Sequence, residues 1–261
     1  MLKRCCILCL CVAVMCSAFA QDTLRVMTYN IHFGSDTSLA ALGEYIKQFN
    51  PDLVALQEMD IRNNRSNSPH TNGVNVLSEL AAVTEMIPVF GKAMDHPSGG
   101  YYGDAILSKY DILKTEVYIL PRSGKEIEPR EIVLSHLNIK GREICFASTH
   151  LSHENRENRE LQLRQVSKLM DKQKEKVQIV CGDFNSDPSE ELVVPLMKKW
   201  NDALSGEGTF ATVKGAWHKR YKYDYILYRT KGWHVSVANS FVECIEDYSD
   251  HCVGVVDIVL R

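Results

Sequence analysis

Short apolar runs along this chain stop, one after another, at a carboxylate, an amide or an imidazole. Asn30 closes the first run and Glu58 the second, His150 ends a later one, Asp183 and Asn185 follow Val177 to Cys181, and Asp250 and His251 precede the last. Such groups are costly to bury unless they are paired or bound to metal, so several of them at strand ends point to one shared site. A single Asp after a strand is more often a turn or a helix cap. The set, not any member, carries the inference.

The spacing predicts strands over Leu24–His32 and Asp52–Gln57, with a helix between them that repeats Leu39, Leu42, Ile46 and Phe49 and ends at Asn50-Pro51. Val76, Leu77, Leu80 and Ala81 predict a second helix. Strands over Asp104–Ser108, Ile112–Leu120 and Arg130–Ile139 follow, and Gly141 turns the chain into a hairpin with Glu143–His150. A long polar helix then buries Leu163, Val166 and Met170, after which come a strand at Val177–Cys181, a helix at Glu191–Trp200, and strands at Tyr223–Arg229, His234–Ala238 and Cys252–Leu260. The Asn-, Ser- and Arg-rich segment Arg62–Asn72 and the stretch Asp95–Gly103 read as loops of the kind that carry specificity.

Residues 1–20 stand apart. Lys3 and Arg4 precede an apolar run from Cys5 to Met15, and Ala18-Phe19-Ala20 ends it, which is the pattern of a secretory signal peptide cleaved after Ala20. The run is shorter than the roughly 20 residues that span a bilayer. A lipid anchor on Cys16 is disfavoured by the bulky Met15 before it. The expected product is an exported periplasmic or extracellular protein, monomeric, with residues 21–261 forming one domain. Cys5, Cys6, Cys9, Cys11 and Cys16 leave with the leader, and Cys145, Cys181, Cys244 and Cys252 remain. These sit in apolar strand-like segments without framework spacing, so they are expected as buried free thiols, although export permits disulfides.

The whole chain has 30 basic and 33 acidic side chains and a formal net charge of −3. Losing Lys3 and Arg4 makes it two charges more negative. No basic stripe is available, which disfavours nucleic acid as the substrate.

In order along the chain stand TYNIH at 28–32, LVALQE at 53–58, STHLS at 148–152, GDFNSDP at 182–188, YDYIL at 223–227 and SDH at 249–251. This series resembles the endonuclease/exonuclease/phosphatase superfamily, over residues 25 to 260 or thereabouts. The resemblance implies a four-layered α/β sandwich, with two mixed, mainly antiparallel sheets packed face to face and helices outside.

It also implies a site. Glu58 would be the principal metal ligand, with Asn30 beside it and Asp250 contributing directly or through water. Magnesium suits oxygen ligands of this kind, with manganese or calcium as substitutes. Asp183 would act as base or orienter toward the attacking water, and Asn185 would donate to the phosphoryl oxygens. Asp224 would hold His251 in one tautomer and favour its charged form, and His150 would face the scissile phosphate. Asp104 is a candidate to orient His150, Arg130 to bind two phosphate oxygens, and His32 to touch the metal shell from the strand face that carries Asn30. Trp217 and His218 are candidate substrate contacts, although packing is the favoured role for the tryptophan. His150 and His153 form an HxxH pair, but no cysteine or histidine cluster completes a zinc site around it.

The scaffold does not name the substrate. Ser148-Thr149-His150-Leu151 stands where abasic-site nucleases carry a Tyr-x-Pro-Asn block, and GDFNSDP and KYDYIL differ from the inositol-phosphatase patterns. The leading expectation is therefore metal-assisted hydrolysis of a phosphodiester, on a lipid head group reached by peripheral contact or on a small diester. A scavenging nuclease, a phosphomonoesterase and a non-catalytic binding module are the competing readings.

Overall fold

A computed structural model describes residues 22–204, 221–245 and 247–261. The leader and the pair Trp217 and His218 lie outside the described residues. In chain order the elements are β1 (Asp22–Asn30), α1 (Leu39–Gln48), β2 (Leu53–Ile61), α2 (Val76–Thr84), β3 (Ile87–Asp95), β4 (Tyr101–Ser108), β5 (Ile112–Ile119), β6 (Glu131–Ile139) and β7 (Arg142–His150). They continue with α3 (Arg156–Asp171), β8 (Val177–Asp183), α4 (Val194–Met197), β9 (Asn201–Asp202), β10 (Asp224–Thr230), β11 (Val235–Glu243) and β12 (Val253–Leu260).

The strands form two six-stranded sheets, ordered β11-β12-β1-β2-β4-β3 and β5-β6-β7-β8-β10-β9. Each holds one parallel pair, β1 with β2 and β7 with β8, among antiparallel neighbours. Period-two alternation builds the layers. From β1, Leu24 and Val26 enter the core between the sheets, with Phe146, Ile179 and Ile258, while Met27 and Tyr29 pack on the other side with Leu42 and Ile46 of α1 and Leu80 of α2. On the outer face of the second sheet, Leu163, Val166 and Met170 of α3 cover Ala147, Val180 and Tyr225. The result is the expected four-layered α/β sandwich.

Three differences from the sequence reading have physical causes. Strand β3 was not expected, since it is an edge strand with few buried positions and Pro88 near its start. The helix foreseen over Glu191–Trp200 shrinks to Val194–Met197, because Glu191 takes a left-handed conformation (φ 58°) and Pro195 cannot donate within a longer helix. Cys244 and Cys252 are disulfide-bonded, which corrects the expectation of four free thiols, while Cys145 and Cys181 are free and buried. The antiparallel register that pairs Glu243 with Val253 leaves these two cysteines facing each other at the mouth of the β11–β12 pair.

Among the described residues, no helix is long and apolar enough to cross a membrane.

Candidate active site

Strand register assembles one half of the site. The parallel β7–β8 pair sets His150 beside Asp183, and the antiparallel β8–β10 pair sets Asp224 on the other side of Asp183. This close approach depends on Gly182 (φ +149°), where a Cβ would fall 1.8 Å from the Thr149 carbonyl oxygen. The first sheet supplies the other half from Asn30 at the end of β1 and Glu58 in β2.

Glu58 does not end its strand. It lies inside β2 at a break in the register against β4, between Leu56 and Met59, with φ 59°. Non-glycine residues enter this region at a cost, and such residues cluster at functional sites. Asn185, with φ 47°, is a second case in the same pocket.

Asp183 is the hub. Its Oδ2 accepts from Asn30 Nδ2 at 3.1 Å and lies 3.3 Å from His150 Nε2 and 3.5 Å from His251 Nε2, while Oδ1 accepts from the Asn185 amide at 2.8 Å. Asn30 Nδ2 also donates to Glu58 Oε1 at 3.1 Å. His251 Nδ1 faces Asp224 Oδ2 at 3.0 Å. Ser249 ties the loop down by donating to the Asn30 carbonyl at 2.7 Å and accepting the His251 amide at 3.1 Å.

Burial and neighbouring charge divide the two histidines. Burial opposes charge on His251, but Asp224 and Asp183, joined by Asp250, lift its pKa well above that of ordinary imidazole. His150 goes the other way, since burial and the Arg130 guanidinium both push its pKa well below the usual value. Asp183 is pushed up to about 7, mainly by burial, with His251 opposing the rise and Asp224 adding to it.

Three assignments are relocated. Arg130, expected at the phosphate, is buried, and it engages His150 Nδ1 at 2.7 Å, the Tyr102 hydroxyl at 3.3 Å, His153 Nδ1 at 3.2 Å and Glu128 at 3.0 Å. Asp104, expected to orient His150, instead lies against Glu131, whose Oε1 accepts the Asp104 amide at 2.6 Å. Burial raises both carboxyl pKa values, that of Glu131 to about 8. His32 leaves the face of Asn30 because the strand stops there. The chain turns into a 3-10 segment at His32–Gly34, and the His32 ring faces Asp36 at 2.7 Å.

Tyr102, Glu131 and Ser249 escaped the sequence reading as individual participants. Glu131 follows Arg130 directly and Ser249 opens the SDH block, so proximity was the available signal. The two soft stretches meet, since Ser98 donates to Asn63.

The sequence pattern of the endonuclease/exonuclease/phosphatase family matches residues 27–251. The chain belongs to that family. Among solved structures, an endonuclease/exonuclease/phosphatase from Bacteroides vulgatus superposes with a TM-score of 0.71 at 20% identity, covering 92% of this chain and 100% of its own. TDP2 from Caenorhabditis elegans gives 0.67 at 21% identity, covering 91% and 74%. A mannosyl-6-phosphatase from Bacteroides thetaiotaomicron gives 0.66 at 18%, covering 90% and 99%. At these identities the superpositions show the shared fold. The endonuclease/exonuclease/phosphatase family assignment makes this chain a phosphoric ester hydrolase.

Proposed function

We propose that this protein is an exported, magnesium-dependent phosphodiesterase, a small bacterial-type member of its family, acting on a lipid head group or another small phosphodiester. The observation that carries the reading is the convergence of Asn30, His150 and His251 on one carboxylate oxygen of buried Asp183, beside Glu58.

The residues fit a hard cation. Asn30 Nδ2 donates to both Glu58 Oε1 and Asp183 Oδ2 at 3.1 Å, which gathers carboxylate and amide oxygens of the kind magnesium takes, and Oδ1 of Asp224, the register partner of Asp183, is buried without a partner. Glu58 and Asn30 would hold the ion, with Asp250 contributing directly or through water. When bound, magnesium supplies charge neutralisation at a phosphoryl oxygen.

The chain's own groups do the rest. Asp183, with a pKa near neutrality, is suited to orient water and take its proton. His251, held charged by Asp224, is the donor to developing negative charge. With Arg130 donating to Nδ1, neutral His150 keeps its proton on Nε2, which faces Asp183 and works as a hydrogen-bond donor rather than as a full acid. Asn185 Nδ2 donates to the Leu151 carbonyl at 2.9 Å, which holds its amide beside the His150 ring. The disulfide supports export, and the acidic net charge supports a substrate other than nucleic acid.

A panel of bis-aryl phosphate, aryl monophosphate, sphingomyelin, phosphoinositide, RNA and DNA, each with magnesium and with chelator, tests the proposal. Metal-dependent cleavage of the diester or lipid supports it. Cleavage of monoester alone makes the protein a phosphatase, and rapid DNA degradation with the other substrates untouched makes it a nuclease.

A further inference from the structure

On the outer face of the second sheet, away from the catalytic rim, three elements bring a nitrogen, a sulfur and an oxygen donor together. His136 on β6 is the direct register partner of Cys145 on β7. Glu175, from the turn between α3 and β8, closes on them, with Oε1 2.7 Å from His136 Nδ1. The candidate ligand atoms of His136, Cys145 and Glu175 all lie within 4.8 Å of one another. Cys145 stands five residues before His150 on the same strand, so this cluster is roughly 17 Å from the catalytic histidine.

We propose that His136, Cys145 and Glu175 form a second metal site, suited to Zn2+ and independent of the magnesium chemistry. Imidazole, thiolate and carboxylate are the three side-chain ligands that zinc uses, and its bond lengths of about 2.0–2.3 Å place ligands of a tetrahedral site roughly 3.3–3.8 Å apart. His136 and Glu175 stand 2.7 Å apart and Cys145 lies within 4.8 Å of both, so modest side-chain adjustment reaches that range.

Two further observations point the same way. Metal-bound histidines characteristically give their other ring N–H to a carboxylate, and here His136 Nε2 faces Glu116 Oε1 at 2.9 Å, with Lys114 Nζ 2.8 Å from the same oxygen. The second carboxylate oxygen of Glu175, Oε2, is buried without a partner, a state that a buried anionic oxygen does not keep cheaply. Cys145 is fully buried and free, and burial pushes its thiol pKa up. Zinc reverses that preference, since binding expels the thiol proton. A cleft of about 410 Å³, lined by Lys114, Glu116, Tyr118, His136, Lys172 and Glu175, gives the ion a way in and leaves space for water as the fourth ligand.

The test is cobalt titration of chelator-treated protein, with excess magnesium covering the oxygen-rich catalytic pocket. One equivalent of Co2+ should produce a thiolate-to-cobalt charge-transfer band that Zn2+ abolishes. Cys145→Ala should lose the band, Cys181→Ala should keep it, and Glu116→Gln should weaken the affinity on the order of 10- to 100-fold. If Cys145→Ala fails to fold, His136→Asn carries the same expectation of a lost band. No band in the wild-type protein, or a band that survives in Cys145→Ala or His136→Asn, overturns the proposal.

Discussion

Nη1 of Arg130 sits 2.7 Å from Nδ1 of His150, so the inner nitrogen of this ring meets a guanidinium where a carboxylate was expected. The two arrangements set opposite charge states, since a carboxylate raises the imidazole pKa and a guanidinium lowers it. Arg130→Ala should therefore raise the pKa of His150 and lower turnover on the order of 10- to 100-fold, with Arg130→Lys partly restoring it. Nitrogen-15 NMR of the histidine rings reads the tautomer. If His150 carries its proton on Nδ1 in the wild-type protein, the relationship is wrong.

Asp183 makes stability depend on pH in a defined direction. Its carboxyl ionises near 7 in the folded chain, against about 3.9 when unfolded. The stabilisation is therefore complete below about pH 4, while the group is protonated, and is lost as pH rises through 7. Without metal, the melting temperature of the wild-type protein should fall by several degrees relative to Asp183→Asn between pH 4 and 7.5. Thermal unfolding of both proteins across that range checks it, and parallel curves would remove the claim.

The His251–Asp224 pair should govern the alkaline side of the activity profile. His251 stays charged above the usual imidazole range because Asp224 and Asp183 outweigh its burial. Asp224→Asn removes the nearest of these charges, so the pH at which turnover declines should move downward and the maximal rate should drop on the order of 10²- to 10⁴-fold. A profile of kcat against pH for both proteins distinguishes this from a folding defect, which would lower the rate without moving the limb.

The disulfide closes the loop that carries Ser249, Asp250 and His251, between Cys244 and Cys252. Closing a loop of this length is worth about 2–3 kcal/mol in the chain-entropy view. Cys244→Ser should cost about 5–10 °C in melting temperature and lower turnover, because His251 loses part of its anchoring. Cys244 is exposed, so a dithiol reductant should reproduce both effects. Unchanged activity after complete reduction would show that the loop holds its geometry without the bond.

Much of the site was legible because its residues end or follow apolar strands, where alternation and blocks such as GDFN and SDH are local signals. Asp183, Asn185, His150, Asp224 and His251 are brought together as the motif order implied. What the sequence did not carry was backbone departure from the regular strand. Strand alternation puts His32 on the face of Asn30, but the chain leaves the strand at Asn30. The apolar run before Glu58 marks it as a strand end, whereas it sits in a bulge with positive φ. Arg130 and Asp104 were separated in sequence by 26 positions, and only tertiary packing decides which of them meets His150.

The proposed metal-dependent hydrolysis depends above all on Asp183, and the initial rate on the best ester of the substrate panel measures this directly. With magnesium the wild-type protein should turn over, chelation should abolish the rate and re-added magnesium should restore it, while Asp183→Asn should remain on the order of 10²- to 10⁴-fold slower at every metal concentration. Undiminished hydrolysis by Asp183→Asn, or a wild-type rate indifferent to chelator, would contradict it.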